Sequence, residues 1–110
     1  MTTVEILKAA RAKIADEKHW TKGAEARDVA GKSVSPQSRK AVCWCSLGAL
    51  SASAMPYSFA AYSFAALGFV QAIMNSQSKG VSRFNDSHTH AEVLAAWDAA
   101  IADAEKAVTA

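Results

Sequence analysis

The sequence predicts an all-α protein, a small four-helix domain with one long loop between the first and second helices. Three observations carry this reading. Alanine dominates a composition that is 51% hydrophobic and 20% charged, and alanine has the highest helix propensity. Apolar residues recur at helical spacing along the first and last segments. Two capping boxes, Thr2-Thr3-Val4-Glu5 and Thr89-His90-Ala91-Glu92, mark helix starts. The chain has 110 residues. Residues 1–110 are therefore expected to form one helical domain, large enough to bury a core without disulfides or a metal.

The elements follow in order. The first helix begins at the Thr2 cap and carries Val4, Leu7 and Ile14 at helical spacing, with Ile6 and Ala10 beside them; it is expected to stop near Glu17. Residues 18–40, with their glycines, proline and serines, sustain no apolar period and read as a long connection. Ala24, Ala26 and Val34 could fold part of it into a short hairpin around Asp28-Val29-Ala30-Gly31. Trp20 is its expected anchor to the core. Ala41 to Ala54 reads as the second helix, closed by Pro56, which suits the first turn of a third. The third runs to about Ser76, with Gly80 closing it. Tyr57, Phe64, Leu67 and Ile73 share one face, and Phe59, Tyr62, Phe69 and Met74 widen the apolar surface. The last helix runs from about His90 to Val108, with Val93, Leu94, Trp97, Ala100, Ile101 and Ala104 as its stripe. Gly48 and Gly68 inside helices suggest close helix–helix packing beside Ala49, Ala65 and Ala66.

Charge is segregated along the chain. Residues 1–40 hold nine Lys/Arg against five Asp/Glu, residues 81–110 hold two against five, and nothing between Lys40 and Lys79 is charged. The neutral middle is expected to form the core, with the charged ends around it. The net charge of +2 and the lack of interleaved aromatics among the basic residues give no nucleic-acid signal. Tyr57 to Met74 is uncharged over 18 residues, the lower limit for a membrane span. Its tyrosines, serines, Gln71 and many alanines favour a buried helix instead. The N-terminus lacks the apolar run of a signal peptide. Two cysteines make no disulfide framework, and on a helix Cys43 and Cys45 would point about 200° apart. Reduced thiols and a cytoplasmic location are the expectation.

Three constellations bear on chemistry. Cys45 near a helix start, with His88 or His90 downstream and Asn85 or Asp86 to orient an imidazole, supplies the parts of a nucleophilic site. The competing reading is a cysteine packed as a small hydrophobe. Cys43-Trp44-Cys45 and His88-Thr89-His90 have the wrong spacing for a standard zinc site, and no metal is expected. No cofactor motif is present, so no cofactor is expected. Arg27 and Asp28 in the loop, with Asn85 and Asp86 before the last helix, form a polar set. It either pins the loop, with Arg27 paired to Asp86 or Asn85, or lines a pocket.

His19-Trp20-Thr21, Gly23-Ala24 and Ala26-Arg27-Asp28 precede Trp44-Cys45 and Leu47-Gly48-Ala49-Leu50. Asn85-Asp86, Thr89-His90, Glu92-Val93-Leu94, Asp98 and Ala100-Ile101 follow. In order and spacing these resemble a family of small bacterial and phage helical proteins known only as a domain of unknown function. The resemblance covers nearly the whole chain. It implies a predominantly helical, soluble, intracellular domain and carries no activity. It places Trp20, Thr21, Arg27, Asp28, Cys45, Asn85, Asp86 and Thr89 in the family pattern. The serine- and aromatic-rich third helix and Cys43 depart from it.

Two function classes follow. One is a non-catalytic interaction or regulatory module of bacterial or phage origin, with a protein partner or self-association, for which Phe59, Tyr62 and Phe69 would offer a surface. The other is a small cysteine-dependent hydrolase or acyltransferase using Cys45 with His88 or His90.

Overall fold

The computed structural model describes residues 2–54, 64–76 and 80–109. Five α-helices and one two-stranded sheet are present among them. The helices are α1 (Thr3–Lys13), α2 (Ser46–Ala54), α3 (Phe64–Asn75), α4 (Val81–Ser87) and α5 (His90–Thr109). A 3-10 turn, Glu17–His19, follows α1, and strands β1 (Ala26–Arg27) and β2 (Cys43–Trp44) precede α2. The protein is mostly helical, but the four-helix count is corrected to five among the described residues.

Both capping boxes form. Thr2 Oγ1 accepts the Glu5 N–H, and Glu5 accepts the Thr2 N–H at 3.0 Å. Thr89 Oγ1 and Glu92 reciprocate in the same way at the start of α5. Bonding to the cap N–H groups holds the carboxyls of Glu5 and Glu92 below their ordinary values. Helix α1 ends earlier than its periodicity suggests, because Asp16 caps a new turn by accepting the Lys18 N–H at 3.1 Å.

The core is a helical sandwich around α1 and α5. Ile6, Leu7 and Ala10 of α1 and Ile14 at its C-cap are buried with Val93, Trp97, Ala100 and Ala104 of α5. Helix α3 contributes Ala66, Val70 and Met74 at four-residue spacing. This corrects the predicted α3 face: Phe64 is 64% exposed, and Leu67, Phe69 and Ile73 only border the core. The inward stripe begins with alanine, which lets α3 approach α5 closely. Tyr57, Phe59, Tyr62 and the predicted Pro56 start lie outside the described residues. Gly80 does not close α3 but stands at the N-cap of α4 with φ of 116°, a conformation that only glycine adopts without strain. Among the described residues, no helix is long and apolar enough to cross a membrane.

The largest correction concerns Ala41 to Cys45. Sequence periodicity extends α2 to Ala41, but the chain is extended there. Cys43–Trp44 pairs antiparallel with Ala26–Arg27, in the register Ala26 to Trp44 and Arg27 to Cys43. The long loop doubles back first: Arg27 bridges Ser33, and the Val34 N–H bonds the Ala26 carbonyl at 3.0 Å. This closes a turn over residues 28–31.

Gly48 also has a different neighbour from the one its helical setting suggests. It packs on loop backbone rather than on another helix. A Cβ there would overlap the Glu25 carbonyl, which itself accepts the Cys45 N–H at 3.1 Å. Among the described residues nothing lies within 4 Å of where a Gly68 Cβ would stand, so close packing among them does not explain it. Gly48→Ala is expected to lower the unfolding free energy by roughly 2–4 kcal/mol, because backbone cannot move aside as a flexible side chain can. Urea denaturation of the two proteins measures the difference.

Candidate functional site

The site is built on the buried amide of Asn85, carried by α4. Its residue exposure is 0%, so both amide groups need partners. Oδ1 accepts three bonds: from Trp20 Nε1 at 2.8 Å, from the Ser46 N–H at 3.0 Å and from Ser46 Oγ at 2.9 Å. Nδ2 donates to the Thr21 carbonyl at 3.0 Å and to Asp86 Oδ1 at 3.2 Å. Donors surround one end of the amide and acceptors the other, which fixes its orientation. Ser46 Oγ in turn accepts Trp97 Nε1 at 3.1 Å. One side chain thus ties the loop at Trp20 and Thr21, the first turn of α2, and, through Ser46, the centre of α5.

The remaining polar residues extend this network along the loop. Asp86 Oδ1 accepts the Gly23 N–H at 3.1 Å. Arg27 does not pair with Asp86. Its guanidinium instead takes Thr21 Oγ1 at 3.1 Å and the carbonyls of Lys22 and Gly31 at 3.1 and 3.0 Å. Loop carbonyls lie nearer to it than any carboxylate, because the loop folds back over its own backbone. Asp28 braces the turn it begins, with Oδ1 accepting Ala30 N–H and Lys32 N–H. Trp44 Nε1 holds the Pro36 carbonyl at 3.0 Å, and Lys13 sits 4.5 Å over the Trp44 ring.

Cys45 lies at the position before α2 and is 4% exposed. Its Sγ accepts the Gly48 N–H at 3.4 Å. Burial pushes the thiol above its ordinary value, and Glu25 and Asp86 add to the shift, against the pull of the Gly48 and Leu47 N–H groups. This environment favours the protonated thiol. Cys45 forms the floor of a cleft of about 190 Å³, lined also by Gly23, Ala24, Glu25, Ser82 and Asp86.

The histidines face other partners. His88 Nδ1 lies 2.9 Å from the Phe84 carbonyl, with the two rings stacked. His90 Nε2 lies 2.6 Å from the Ile14 carbonyl and its ring sits beside Trp20. Neither lines the Cys45 cleft. Among the described residues no three of His, Cys, Asp and Glu converge in a way that could hold a metal.

Arg27 and Asp28 in the loop, and Asn85 and Asp86 before the last helix, were legible as a polar set, but the last two stand on α4, a helix not predicted from the sequence. Ser46 and Trp97 were missed. A serine directly after Trp-Cys at a helix start, and an indole N–H in a core stripe that needs an acceptor, were the available signals.

A model of the Family of unknown function (DUF6197) matches residues 1–103, and the chain belongs to that family. No match is found among curated proteins or among solved structures.

Asn85→Ala leaves the Ser46 N–H, the Ser46 hydroxyl and the Trp20 indole N–H without their acceptor. The expected loss is about 3 kcal/mol of stability. Near-UV circular dichroism should show Trp20 and Trp97 losing their fixed environments; an unchanged spectrum and melting temperature would contradict the network.

Proposed function

We propose that this chain is a non-catalytic intracellular interaction or regulatory module of bacterial or phage origin that binds a protein partner. The carrying observation is an apolar side chain held out on a rigid support. Val29 is 92% exposed at the tip of the turn braced by Asp28 and by the Arg27 bond to the Gly31 carbonyl. Val42, 39% exposed, stands at the adjoining strand end, its N–H bonded to the Arg27 carbonyl at 2.9 Å. Lys32, Arg39 and Lys40 are exposed in the same loop and make no ion pair among the described residues. A fixed apolar tip with a basic rim suits a socket with acidic edges. Fixing the loop in advance lowers the entropy lost on binding. The two cysteines are free, which suits a reducing compartment.

The alternative is a small hydrolase or acyltransferase using Cys45 with His88 or His90. It requires a thiolate within reach of an imidazole. The raised thiol and the separate engagement of both histidines favour the module reading.

Two measurements test it. In a Cys43→Ser background, native alkylation of Cys45 is expected to stay slow through neutral pH and to accelerate only in denaturant. The sign follows from the shift. A thiol pKa raised on folding makes the folded state hold its proton where the unfolded chain releases it, so stability falls as pH rises past the unfolded value. Rapid alkylation at neutral pH would reinstate the enzyme.

The second measurement is recovery of a partner by crosslinking to full-length bait. Val29→Glu should abolish recovery while leaving stability within about 0.5 kcal/mol, because the site is at the surface. Equal recovery by both baits would place the contact elsewhere.

A further inference from the structure

A cleft of about 240 Å³ opens between α3, α4 and α5 and shares no lining residue with the one over Cys45. Ile73 and Phe84 form apolar walls, and the apolar side chains that α5 presents there are alanines, Ala95, Ala96 and Ala99, beyond Glu92 at its first turn. Larger side chains at those positions would fill the space. An apolar cavity of about 150 Å³ already accepts a benzene ring, so this one has room for a small ring and a substituent.

Its two polar residues are both acceptors. His88 Nδ1 faces the Phe84 carbonyl, and a carbonyl only accepts. Ser87 Oγ, 3.0 Å from the same nitrogen, gives its own proton to the Arg83 carbonyl and is left to accept, so Nδ1 carries a proton and the uncharged form of the ring has its lone pair on Nε2. The His88 ring is itself fixed by stacking on Phe84, with centroids 3.8 Å apart. Glu92 gives Oε1 to the Thr89 N–H, and a carboxylate has capacity for further donors. No Lys or Arg pairs with Glu92 among the described residues; the neighbouring side chain that acts on its charge is His88 of the same cleft. An apolar slot edged by an imidazole and by a carboxylate without a Lys or Arg partner among the described residues is complementary to a donor-bearing cation and repels an anion.

We propose that this cleft binds a small organic ammonium ion with an apolar body. The body lies against Phe84, Ile73 and the alanines, and the ammonium donates to His88 and Glu92. This site is independent of the Val29 surface and of the module reading, and it stands or falls by itself.

The test is a titration of the full chain at neutral pH with benzylammonium, followed by amide chemical shifts, with benzyl alcohol and benzoate as controls. Benzylammonium is expected to give saturable shifts at Phe84, His88 and Ala96 with Kd on the order of 1 mM, the scale for a ligand of so few atoms. Benzyl alcohol should bind roughly fivefold more weakly and benzoate should not bind. Glu92→Gln keeps the helix cap, since glutamine serves that position equally, and should erase the preference for the ammonium. Ala99→Leu should fill the cleft and remove binding of both ligands. The proposal is overturned if no saturable shift occurs at these residues. It is equally overturned if benzoate binds as well as benzylammonium, or if Glu92→Gln leaves the preference intact.

Discussion

The fold depends on the satisfaction of one buried amide. Asn85 makes five hydrogen bonds from a position closed to water. Each unmet group would cost its full desolvation penalty, so such a network is stabilising only when complete. Completing it requires Trp20, Thr21, Ser46 and Asp86 to be in place together. That requirement converts a loop with little apolar content into an ordered layer on the helices. Trp20 adds burial, and Trp97 joins through Ser46. The first turn of α2, the centre of α5 and the loop are thereby set in register.

The same arrangement governs the chemistry of Cys45. Seating the loop over the start of α2 puts Glu25 backbone against Gly48 and leaves Cys45 buried at the base of its cleft. A helix N-terminus ordinarily lowers a cysteine pKa. Here desolvation and two neighbouring carboxylates outweigh that pull. The same seating of the loop that buries Cys45 favours its protonated thiol, and Val29 is among the loop side chains turned outward.

The segregated charges meet in space. Arg11 of α1 bonds Asp98 of α5 at 3.0 Å, and Lys8 faces Glu105 at 3.5 Å. All four side chains are substantially exposed, so each pair contributes only about 0–1 kcal/mol. Their effect is on alignment of the two helices. Stability comes from the apolar stripe beneath them.

The sequence by itself determined the helix starts at Thr2 and Thr89, the stripes of α1 and α5, the anchoring role of Trp20 and the polar character of Asn85 and Asp86. These rest on local rules: a cap needs residues three apart, and an amphipathic face repeats every turn. Only the tertiary structure decided that Cys43 and Trp44 are a strand, that Arg27 binds carbonyls rather than Asp86, that Gly48 makes room for backbone, and that α3 buries Ala66 rather than Phe64. The reason is common to all four. An apolar run from Ala41 onward fits helix or strand equally until a partner offers hydrogen bonds, and here β1 supplies them from a distant part of the chain. Likewise a guanidinium takes the acceptors that the folded chain brings nearest, and sequence distance does not reveal which those are.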